Sequence, residues 1–102
     1  MLKPMPKFCV EIKGVNLLIY SEDLQRVVPS GFYVRAFVDA PSHGAAENKG
    51  LELVRQSHVY AAARNEPDDP PRLAAEEITE ISDWPADTVR PLTGFALYDE
   101  GT

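Results

Sequence analysis

Asp39, Ser42 and His43 fall close together, where an alternating apolar segment gives way to a helical pattern. A hydroxyl beside an imidazole can act as a nucleophile and its base, with a third group orienting the ring. Ser42 also has a simpler task. Serine just ahead of a helix accepts a hydrogen bond from an otherwise unpartnered amide. His43 would then sit exposed at the first helical position, and the expectation is a cap and no catalytic group. His58, near the end of the same pattern, is placed to meet the negative end of the helix dipole. Cys9 is the only cysteine. Neighbouring lysines would lower its pKa if it were exposed, whereas an alternating strand makes it a small, half-buried side chain.

The same residues argue against a metal or cofactor. One cysteine and two histidines do not supply a structural zinc cluster, and His43 and His58 stand far apart in the chain. Asn65, Glu66, Asp68 and Asp69 offer oxygen ligands, but without the alternating carboxylates and central glycine of an EF-hand loop. A solvated acidic turn is expected there. Glycines occur singly, so no phosphate-binding loop is present.

Tyr33, Arg35 and Phe37 are the candidate binding residues. They share one face of an alternating segment whose other face is purely apolar. Tyrosine, phenylalanine and arginine are enriched at contact surfaces. The group fits two descriptions: a contact surface, or a second core face covered by the C-terminal part of the chain.

These side chains need elements to carry them. Phe8, Val10 and Ile12 alternate with polar neighbours and predict a strand with one buried face. Gly14 to Asn16 offers turn chemistry, so Leu17 to Tyr20 reads as a second strand, hairpin-paired with the first. Ser21 to Ser30 reads as a loop with a helical turn. Phe32 to Val38, rich in aromatic and β-branched residues, is the third strand. Ala46, Gly50, Leu53, Val54 and Ser57 form a mostly apolar stripe at helical spacing. They predict one long helix over 43–58, with an extension through the alanines at 61–63. Gly50 in its middle implies close approach to another backbone, with Ala36 opposite. The prolines at 67–71 enforce a loop. Residues 75–81 read as a strand, 82–91 as irregular around Trp84-Pro85, and 95–98 as a last short strand. The expected fold is a single α+β domain over residues 1–102. It has two layers, a largely antiparallel sheet in the order β-β-β-α-β-β and one long helix on one face.

Composition bounds the function. The chain has 102 residues, 44% hydrophobic and 25% charged, which suits one globular core. Its net charge of −6 is uneven: residues 1–50 carry six basic and five acidic side chains, residues 51–102 four and eleven. No cluster of lysine and arginine is present to hold a phosphate backbone, so nucleic acid is not an expected partner. The opening residues contain no apolar run fit for a signal peptide, and Leu17 to Tyr20 is too short to cross a bilayer. With a single cysteine these features suit a bacterial-type cytoplasm.

The stretches Gly31-Phe32-Tyr33, Phe37-Val38-Asp39-Ala40, Ala46-Glu47, Leu53-Val54-Arg55, Glu76-Glu77-Ile78 and Gly94-Phe95 together carry a resemblance. They are similar to a group of small uncharacterised bacterial proteins of unknown function. These share a Gly-Phe-Tyr strand, an Ala/Glu-rich helix, a Glu-Ile strand and a terminal Gly-Phe strand. The resemblance favours a strand at 75–81 and carries over nothing functional.

Two functions compete. One is a non-catalytic protein-interaction module, acting as a homodimer or as the acidic partner of a basic protein. The other is a small anionic-ligand-binding domain or enzyme with a cleft near Tyr33, Arg35 and His43. There Arg35 would pair with the anion through its planar fork.

Overall fold

The computed structural model describes residues 5–86 and 91–100. Its elements are β1 (Lys7–Ser21), β2 (Arg26–Asp39), α1 (His43–Arg55), α2 (His58–Ala61), β3 (Arg72–Ile81) and β4 (Leu92–Asp99). The sheet is antiparallel throughout, in the order β3-β1-β2-β4. The antiparallel α+β expectation holds. The expected order and the single long helix do not: two strands precede two short helices, and two strands follow.

The first difference lies at Gly14 to Asn16. Instead of turning, the chain continues as one strand, and its register against β2 shifts between Gly14 and Leu17. Asn16 takes φ 60°, which asparagine tolerates, and the distortion is held by distant partners. The Asn16 amide donates to the Glu100 carboxylate (2.9 Å), and its side chain donates to Asp69 Oδ1 (3.0 Å). Asn65 completes the edge of β1 just beyond the end of its pairing with β3. Its Oδ1 accepts the Leu18 amide (3.0 Å) and its Nδ2 donates to the Asn16 carbonyl (2.7 Å). The Arg64 amide donates to the Leu18 carbonyl (2.7 Å). Asn65 and Asp69, read from sequence as part of an acidic turn, thus fasten the loop to β1.

The real hairpin turn falls at residues 22–25, and β2 starts at Arg26, inside the stretch expected to be a loop. Pro29 is tolerated within this strand. Its carbonyl accepts the Glu100 amide just past the end of β4. Its nitrogen faces the same way, where no ladder bond is lost.

Alternation then sorts the side chains. Phe8, Val10 and Ile12 of β1 and Phe32, Val34, Ala36 and Val38 of β2 form the buried side. Helix α1 covers them with Ala46, Gly50 and Val54. A Cβ on Gly50 would stand 3.3 Å from the Val10 side chain and 3.4 Å from the Ala36 Cβ, so Gly50 does lie against Ala36, but what it meets is side chains, Val10 foremost, and not the expected backbone. Ser42 Oγ accepts the Ala45 amide at 3.1 Å, as the cap requires, and Lys49 donates to the Asp39 carbonyl at 2.7 Å.

The helix stops at Arg55 because Ser57 diverts the chain. Its hydroxyl donates to the Val54 carbonyl (2.6 Å) and accepts the Tyr60 amide (3.3 Å), capping α2. His58 therefore opens α2 instead of closing α1. The strand expected at 75–81 extends back to Arg72, and the last strand spans Leu92–Asp99. Phe95 packs on Phe32, ring centroids 5.6 Å apart, and so belongs to the helix side. Residues 87–90 of the irregular stretch lie outside the described residues.

Two substitutions test this account. Gly50→Leu is expected to destabilise by about 1–3 kcal/mol through overpacking, although glycine is the poorer helix former. Urea unfolding measures it, and a stabilised variant would refute the close-approach argument. Asn65→Ala strands the Leu18 amide and removes two donors. It should cost about 1–3 kcal/mol in the same assay, and a change near zero would show that the clamp is not needed.

Candidate functional site

The sheet face away from α1 is the candidate site. Its central strands carry Cys9, Glu11 and Lys13 on β1 and Tyr33, Arg35 and Phe37 on β2, paired as Cys9–Phe37, Glu11–Arg35 and Lys13–Tyr33. β3 adds Glu77 and Thr79, and β4 adds Ala96 and Tyr98. The pleat delivers these residues to one side for the same reason that it delivers Val10 and Ala36 to the other.

The three predicted binding residues share the face but not the same surroundings. Tyr33 is 48% exposed. Lys13 Nζ sits 5.7 Å from its ring centroid, and the Tyr98 ring lies 5.7 Å away. Tyr98 covers Gly31, where an added Cβ would collide with its ring. The Arg35 guanidinium is exposed and lies 3.6 Å from the Glu11 carboxylate. Such an exposed pair contributes about 0–1 kcal/mol. Phe37 is 5% exposed. The Trp84 ring meets it edge-on at 6.2 Å, and Lys7 lies 5.8 Å from the Trp84 centroid. The Phe37 amide donates to the Pro91 carbonyl at 2.8 Å. Phe37 is therefore covered by its own chain. The covered-core description holds at Phe37, whereas Tyr33 and Arg35 stay exposed.

Two irregularities shape the middle of the face. The β1–β3 register shifts between Glu11 and Ile12, and the β2–β4 register shifts between Tyr33 and Arg35. Gly94, at φ +79°, supplies the left-handed residue in β4 that a side chain would strain. Both edge strands are thus displaced at one level. A depression of about 510 Å³ crosses the sheet there, lined by Glu11, Tyr33, Arg35, Glu76 and Thr93. A second, of about 260 Å³, lies between Cys9, Phe37, Glu77, Ile81 and Pro85.

His43 is not part of this face. Its ring lies 4.9 Å from that of Phe8, which points to the helix side. The cleft imagined from Tyr33, Arg35 and His43 is divided by the sheet itself. Ser42 spends its hydroxyl on the helix cap. Among the described residues no three His, Cys, Asp or Glu side chains converge as a metal site would require.

Cys9 is half-buried among Arg35, Glu11 and Glu77. Burial pushes its thiol above the ordinary value. Arg35 pulls the other way, while Glu11 and Glu77 push it further up. The neighbouring lysines do not activate it. Alkylation by iodoacetamide should therefore be slow at neutral pH, with a pH midpoint above that of free cysteine. Arg35→Ala should raise that midpoint further, since Arg35 is the group that favours the thiolate. Labelling as fast as free cysteine at neutral pH would contradict this.

Comparison with known proteins adds no assignment: no protein-family model matches the chain, and neither a curated protein nor a solved structure does.

Proposed function

We propose that this chain is a non-catalytic protein-interaction module that acts as a homodimer through the helix-free face of its sheet. The observation that carries the reading is the exposed set Tyr33, Tyr98 and Arg35 on that face, beside the part that Trp84 covers. Aromatic side chains and arginine are the usual anchors of protein contacts, because each brings large area or several donors with little entropy to lose. A two-fold arrangement is the commonest for small oligomers.

Small-anion binding is less well supported. The depression at Arg35 is lined by Glu11 and Glu76 as well, so its carboxylates outnumber its one guanidinium. A basic protein partner is the second reading. Its support is β3, an edge strand that exposes Glu76, Glu77 and Glu80. Such a contact would be electrostatic and weakened by salt. The proposed compartment is the cytoplasm, in keeping with a lone cysteine. Among the described residues no helix is long and apolar enough to cross a membrane.

Gel filtration coupled to light scattering tests the dimer. The expected mass is twice that of the 11.3 kDa chain, falling to a single chain in Tyr33→Asp, an exposed position that leaves the core intact. A single-chain mass for the natural sequence at tens of micromolar would sink the reading. Phe37→Asp is not a suitable probe, because it would disturb the packing under Trp84.

A further inference from the structure

We draw no further inference here: the strongest candidate, the exposed apolar patch of Tyr20, Leu24 and Val27 where the β1–β2 ribbon runs beyond β3 and β4 to its turn, carries nothing because nothing in the structure shows what covers it.

Discussion

The pairing of β1 with β2, from Lys7–Asp39 to Ser21–Arg26, is the constraint on which the rest depends. Neither edge strand touches the other; each hangs on one member of this pair. The register decides that Val10 lies beside Ala36, and this places two small surfaces under Gly50. A slip of one residue would turn Val10 and Ile12 outward and bring Glu11 and Lys13 beneath α1. The bulge at Gly14 to Leu17 reverses the parity of β1 without losing the pairing. Leu17 therefore continues the buried side that Ile12 began.

The regular parts of this arrangement were legible in the residues. Phe32, Val34, Ala36 and Val38 announce a strand, Ser42 announces a helix start, and Gly50 announces a close neighbour. What escaped was decided at long range. Gly14 and Asn16 are equally suited to a turn and to a bulge, and the choice rests with Asn65, Asp69 and Glu100, far away in sequence. Pro29 looks like the interior of a loop unless one knows that β4 ends beside it. The helix break at Ser57 is a contest between a good apolar pattern and one hydroxyl that bonds the preceding turn.

The candidate site shows the same division. Alternation alone puts Tyr33, Arg35 and Phe37 on one face, and it says nothing about what lies over them. In β2 the odd-numbered positions face away from α1, and two of them are nevertheless buried: Gly31 under Tyr98 and Phe37 under Trp84. Each cover is a single aromatic ring delivered from elsewhere in the chain. His43 was the opposite case. It is near Asp39 in sequence, yet the sheet puts its ring with Phe8, on the other side from Arg35.

The four-residue turn at 22–25 has a bearing on how the chain folds. Closing it links β1 to β2 with almost no loop, whereas β3 must return to Val15 from Arg72 and β4 to Ser30 from Asp99. Loop-closure entropy rises with the length enclosed, and contacts far apart in sequence form slowly. On these grounds the ribbon zips from the turn inward, before either edge strand docks. Tyr20 and Val27, next to the turn, are then among the earliest cross-strand neighbours to meet, while the Gly14–Leu17 bulge waits for Asn65 and Glu100.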